Sequence, residues 1–175
     1  RNSAYFKKHF DWYQKDVYTL PFVLNGKFKR INPFDSRKDK ALAMGTITSP
    51  IIDKEFIDYF GHRMLHPMRT KIYENRNNLL DEIDSFISPI NNLKPNGEAI
   101  NDGQKQYFAL DIVTLFNEYQ MFIVPEEVSD LPGIGFIEGM ACGAAFIGIM
   151  NPMYEDFGMK DKLNFIGYDG TLDDL

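Results

Sequence analysis

The chain has 175 residues, a formal net charge of -6 and 44% hydrophobic residues. That length fits one domain able to bury a sizeable core, and the acidic balance excludes broad nucleic-acid binding, which needs a basic surface. No apolar run approaches ~18 residues, so no membrane-spanning helix is expected, and the single cysteine, Cys142, excludes an internal disulfide and suits a reducing compartment.

In chain order, Ser3 to Tyr18 is rich in aromatic residues, and the spacing Phe6, Phe10, Tyr13 predicts an amphipathic helix. The interleaved Lys7, Lys8 and Lys15 leave a membrane-surface role open beside simple packing. The location expected is cytoplasmic, with a position peripheral to a membrane as the alternative. Leu20 to Leu24 reads as a short strand closed by the turn signal Asn25-Gly26. Lys27 to Lys40 is basic and polar and reads as a solvated loop. Ala41 to Ile47 is the next strand, with Gly45 near its end. Asp53 to Phe60 predicts a short helix stopped by Gly61. Pro67 suits the first position of a second helix, predicted to run to about Ile87 with Ile72, Leu79, Leu80, Ile83 and Ile87 on one face. Arg63, His66 and Arg69 gather near its start, either as a phosphate-meeting cluster or as surface residues around a loop. Ser88 to Gly103 reads as a loop, and Gln104 to Gln120 as a helix with Tyr107, Phe108, Ile112, Leu115, Phe116 and Tyr119 on one face.

The most informative stretch follows. Met121-Phe122-Ile123-Val124 reads as a buried parallel strand. Gly133 and Gly135 open a turn, Phe136 to Cys142 reads as a helix stopped by Gly143, and Ala144 to Ile149 as a second buried strand. This is one βαβ unit. Its Gly-rich turn admits close approach of a ligand to the backbone, and amides at a helix start attract phosphate or sugar oxygens. Asp130 and Glu138 flank the turn and can accept hydrogen bonds from hydroxyls. A ligand carrying both phosphate and hydroxyls, such as a nucleotide-sugar, suits that combination. Cys142 sits among small residues, where packing is its expected role. Asn151 to Tyr154 reads as a loop before Glu155 and Asp156, Asn164 to Tyr168 as a last strand, and Thr171 to Leu175 as the start of a helix.

Asp130, Gly133, Glu138 and Ala141-Cys142-Gly143 resemble the donor-site motif of retaining GT-B glycosyltransferases of the glycosyltransferase 4 type, in which an acid is followed after seven residues by Glu. The strand ending at Asn25-Gly26, Gly45 and the run Tyr168-Asp169-Gly170 before Asp173-Asp174 resemble the same family. Three positions depart from its pattern. Asp130 stands for the usual Glu, Thr46 for a frequent Arg, and Ala145 for the usual Pro.

The resemblance implies an α/β fold, with a Rossmann-like, mostly parallel sheet and helices on both faces, forming the C-terminal half of a GT-B fold. It implies Asp130 and Glu138 as the catalytic pair. Glu138 would meet the ribose hydroxyls and Asp130 the donor sugar. Gly45, Thr46, Arg69, Gly133, Ile134 and Gly135 would complete the donor site. No metal is called for, and Asp173-Asp174 does not supply one. Residues 1–19 would be the trailing helix of a preceding domain or a linker. Residues 20–175 would be the nucleotide-sugar-binding domain, with a helical insertion at about 53–120. The acceptor is an unknown glycan, lipid or protein, held by an N-terminal acceptor domain missing from this chain. Arg1 in place of Met likewise leads to the expectation of a piece of a longer protein. The competing reading is a degenerate domain of the same fold that acts as a binding or interaction module. A dehydrogenase is disfavoured, because no Gly-x-Gly-x-x-Gly follows an early strand.

Overall fold

The computed structural model describes residues 3–20, 22–48, 50–90 and 109–175. Its longest described strand is β1 (Lys38–Ile47), whose residues 41–45 are all buried. Leu42 and Met44 point to one face of the sheet, and Ala41, Ala43 and Ile47 to the other. Burial on both faces is what a near-continuous apolar run demands. The remaining strands are β2 (Ile83–Pro89), β3 (Tyr119–Ile123), β4 (Ala145–Ile149) and β5 (Ile166–Tyr168). They form one five-stranded sheet in the order β2-β1-β3-β4-β5, every pairing parallel.

Parallel neighbours need crossovers, and the helices supply them on both faces. One face packs α4 (Ile112–Glu118), α5 (Gly135–Ala141) and α6 (Pro152–Asp156) through Phe116, Phe136 and Tyr154 against Phe122 and Phe146. The other packs α3 (Pro67–Asn75) through Met68 and Ile72 against Ile83, Ile87 and Ile123. The arrangement is an α/β, Rossmann-like fold. Within the sheet the chain passes from β1 outward to β2, then returns to β3 on the opposite side of β1. The carboxyl ends of β1 and β3 therefore flank the point where the winding reverses, the place where open α/β sheets form a ligand crevice.

Several sequence expectations need correction. The N-terminal helix is only α1 (Ala4–His9). Beyond it, Phe6 meets Phe10 and Tyr13 in a local cluster with centroids 4.8 and 5.5 Å apart. Asp156 fixes this segment by accepting from Ser3 Oγ (2.7 Å), the Ala4 amide (2.7 Å) and Thr19 Oγ1 (3.0 Å). Leu20 and residues 22–24 form no strand and are exposed. In the predicted loop 27–40, Arg37 is buried and donates to the carbonyls of Asn32, Phe116 and Cys142.

The helix from Pro67 stops at Asn75, and Ile83 and Ile87 belong to β2. Residues four apart share a face in a strand as well as in a helix, so their spacing did not discriminate. Residues 53–120 accordingly contain a strand of the central sheet besides α2 (Lys54–Phe60), α3 and α4. Asp111, whose carboxylate accepts from the Thr114 amide at 3.2 Å, caps α4. Of the predicted loop Ser88 to Gly103, Ser88 and Pro89 belong to β2 instead, and positions 91–103 lie outside the described residues. So do positions 104–108 of the predicted helix Gln104 to Gln120, with Tyr107 and Phe108; α4 covers Ile112–Glu118, while Tyr119 and Gln120 enter β3. Residues 152–156 are helical rather than a loop, because Asn151 caps them and Pro152 occupies their first turn. Residues 171–175 form no helix; Thr171 instead closes a turn with Asp169.

Candidate functional site

The turn after β3 carries the motif. Val124 continues the strand into Pro125 and Glu126, both buried. The chain then passes Asp130, in the left-handed region at φ 60°, and enters α5 at Gly135. A β-carbon on Gly135 would stand 3.0 Å from Val124 Cγ2, so glycine lets the helix start press onto the strand end. One turn later, Gly139 lies against the ring of Phe122, where a side chain has no room. Gly143, at φ 81°, ends the helix as expected. Cys142 is buried, and burial pushes its thiol pKa up, which suits packing rather than reactivity.

Arg69 is the centre of the site. It projects from α3 and is buried. Its Nε donates to the Pro125 carbonyl at 2.9 Å and its Nη1 to the Thr46 carbonyl at 3.3 Å. The guanidinium thus ties together the carboxyl ends of β1 and β3, at the reversal of the sheet. Gly45 makes this possible, since a β-carbon there would stand 2.7 Å from Arg69 Nε. On its far side, Arg69 Nη2 lies 3.9 Å from where a Gly133 β-carbon would be. Arg69, Gly133, Ile134, Gly135 and Glu138 together line a cleft of about 160 Å³ floored by Met44 and Val124. A second cleft of about 360 Å³ adjoins at Arg69 and Gly133, with Phe22, Glu127, Leu131 and Met153 in its walls.

Glu138 is half-buried, and desolvation raises its carboxyl pKa, with Lys27 acting weakly against the shift. Among the described residues its carboxylate has no hydrogen-bond or ion-pair partner. Of the three basic residues noted near α3, only Arg69 brings charge to this cleft. His66 is held down to about 4 by burial and then by Arg69, so it is neutral at pH 7, and Arg63 is exposed.

The structure brings Gly45, Thr46, Arg69, Gly133, Ile134, Gly135 and Glu138 together. It does not bring Asp130 to them. Asp130 pairs with Lys8 Nζ at 3.0 Å, and its carbonyl accepts from Asn151 Nδ2 at 3.3 Å. It faces a separate cleft of about 160 Å³, shared with His62, Lys71, Glu126, Glu127 and Tyr168. Glu126 is the functional candidate that sequence reasoning passed over. It is 7% exposed and accepts a short hydrogen bond from the Tyr154 hydroxyl. Its signal was positional: an acid directly after an apolar strand in a parallel sheet. A further cavity, of about 380 Å³, lies beside α6 around Met159, Lys160 and Phe165, and none of the motif residues lines it.

Among the described residues, no group of His, Cys, Asp and Glu could hold a metal ion, and no helix is long and apolar enough to cross a membrane. No family model, curated protein or solved structure matches the chain.

Proposed function

We propose that this chain is the donor-binding half of a glycosyltransferase and takes a nucleotide-diphospho-sugar. The observation that carries the reading is Arg69, whose buried guanidinium joins the ends of β1 and β3 in the cleft that also holds Glu138. A fixed cation suits a diphosphate, and a carboxylate with two acceptor oxygens suits the paired hydroxyls of a ribose. Arg69 takes over the charge that Thr46 cannot provide. A cleft of about 160 Å³ takes a ribose and its neighbouring phosphate, and the adjoining cleft gives room to the rest of the donor.

In transfer, negative charge grows on the leaving diphosphate. Arg69 and the amides of the Gly133–Gly135 turn stabilise it because they are already oriented before reaction. The acceptor, whether glycan, lipid or protein, and the surface that holds it lie outside this chain, and the configuration at the sugar is expected to be retained. The second reading is a domain of this architecture that binds without turnover. The ion pair of Asp130 with Lys8 favours it, because it occupies the acid that the motif would offer to the sugar.

Calorimetric titration with UDP, GDP, ADP and CMP tests the proposal. Saturable binding of one nucleotide, weakened about tenfold or more in Glu138→Gln and Arg69→Ala, is expected from the loss of a charge-assisted contact. Absence of binding by a folded sample to every nucleotide overturns it for this chain.

A further inference from the structure

The segment that runs from α1 to β1 carries apolar surface that the fold leaves uncovered. Two anchors fix it. Thr19 Oγ1 donates to the Asp156 carboxylate at 3.0 Å, and Phe28, 4% exposed, packs in the core with Phe116. Between these anchors, Leu20 and residues 22–27 are exposed, Leu20 at 83% and Val23 at 91%. The chain turns at Asn25-Gly26, where the Asn25 side chain and carbonyl accept from the Lys27 and Phe28 amides, each at 3.0 Å. Val23 and Leu24 stand before the turn and Lys27 after it. A loop pinned on both sides thus presents large apolar side chains to water as part of the fold, the mark of a surface that meets a partner.

We propose that this loop is a membrane-contact site whose partner is a bilayer surface containing anionic phospholipid. Charge selects that partner. The chain carries -6 overall, yet no Asp or Glu stands between Val17 and Phe34, and the exposed Lys27, Lys29 and Arg30 follow the apolar residues directly. Apolar side chains beside a basic run match the two layers of such a surface, the acyl boundary and the negative headgroups. Either attraction alone holds a protein weakly, and the two together hold it firmly. The acidic remainder of the chain is repelled by the same headgroups, which orients the molecule with this loop toward them.

The apolar surface continues beyond the loop. Leu20 and Phe22 share the cleft of about 360 Å³ with Leu131, Pro132 and Phe157, and Leu131 is itself exposed. Glu127 lines the same cleft, but so does Arg69, so the cleft adds no net negative charge to the contact. The contact therefore spans the loop and the turn that precedes α5. It needs no nucleotide, and it stands apart from the reading of the Arg69 and Glu138 cleft.

Co-sedimentation with vesicles tests the proposal, using phosphatidylcholine alone and phosphatidylcholine mixed with phosphatidylglycerol, without nucleotide. The chain is compared with two double variants, Leu20→Ser with Val23→Ser and Lys27→Gln with Lys29→Gln. All four side chains are exposed, so both variants should keep the fold, which circular dichroism checks. The expected result is binding to the mixed vesicles that falls about tenfold in either variant, weakens as salt is raised, and is much weaker on phosphatidylcholine alone. Absence of binding to the mixed vesicles, equal binding to both kinds, or binding that survives Leu20→Ser with Val23→Ser overturns the proposal. Sedimentation equilibrium without lipid covers the other occupant. Self-association that the same substitutions abolish, in a chain that ignores vesicles, overturns the lipid assignment and gives the loop to a second copy of the chain.

Discussion

Arg69 occupies the space that a side chain on Gly45 would need: a β-carbon there would fall 2.7 Å from both its Cδ and its Nε. Gly45 also has φ 144°, in the region that L side chains rarely adopt. Gly45→Ala therefore has two costs, a strained backbone and a displaced guanidinium. The expected loss is on the order of 2 kcal/mol in urea unfolding. Nucleotide affinity should fall along with it, because Arg69 can no longer reach both strand ends. Unchanged stability would show that Arg69 adjusts freely and that its two carbonyl bonds do not fix it.

Glu138 should behave oppositely in stability. Its carboxylate lies in a half-buried position with no partner among the described residues, and desolvation raises its pKa. Replacing it with Gln removes an unfavourable charge without opening a cavity. Glu138→Gln is expected to leave the thermal midpoint unchanged or raise it while nucleotide binding weakens. That combination separates a ligand-directed group from a structural one. A clear drop in midpoint would place Glu138 in the framework instead.

The fold was legible wherever short apolar runs ended in glycine or proline. Met121 to Val124, Ala144 to Ile149 and the helix between them follow from such punctuation, as does the end of α2 at Gly61. The β2 strand was not legible, because Ile83 and Ile87 satisfy helical and strand periods equally. Residues 152–156 were overlooked although Asn151 and Pro152 carry the start signal; the helix is only five residues long, too short for a period to show. The site divides in the same way. Glu138 and the glycines of its turn lie close in sequence and were found together. Arg69 was named from the basic cluster at the start of α3, but its bonds across 23 residues to Thr46 and 56 to Pro125 arise only from tertiary packing. The separation of Asp130 from Glu138 depends on one left-handed residue and on Lys8, which lies 122 residues away. Local pattern carries no information about either.

Asn117 is the polar pin of the α4 face. It is 1% exposed; its Oδ1 accepts from the Ile31 amide at 2.7 Å, and its Nδ2 donates to the carbonyls of Lys29 (3.1 Å) and Val113 (3.0 Å). It thereby fastens the segment that leads into β1 onto the helix that leads into β3. Asn117→Ala leaves part-buried amide and carbonyl groups without their partner, and an expected loss of about 2 kcal/mol follows. Faster hydrogen exchange at the Ile31 amide is the local signature. Slow exchange there in the variant would show that other groups hold the segment.

Glu126 and His66 titrate in opposite senses, and their effects on stability should cancel over part of the acid range. Burial, against the hydrogen bond from Tyr154 and the charge of Arg69, raises the Glu126 carboxyl from 4.5 to about 7. Burial and then Arg69 lower the His66 imidazole from 6.5 to about 4. Glu127 Oε1 lies 3.7 Å from His66 Nε2, but Glu127 is 43% exposed and its attraction is screened too well to offset burial. The Glu126 contribution is fully present below about pH 4.5 and is lost as pH rises through 7, because the folded chain keeps a proton that the unfolded chain releases. The His66 contribution is present above about pH 6.5 and is lost as pH falls through 4, because the unfolded chain takes up a proton that the folded chain refuses. Between about 4.5 and 6.5 the two slopes oppose each other, so these groups leave stability nearly level. Glu126→Gln removes one of them. Stability of that variant should then rise with pH across the window, by about 1.4 kcal/mol per pH unit at most. Urea midpoints at pH 5 and pH 6, for the unaltered chain and the variant, measure the difference in slope. Equal slopes in the two proteins would mean that Glu126 titrates near its ordinary value. A variant slope of zero would mean that His66 does.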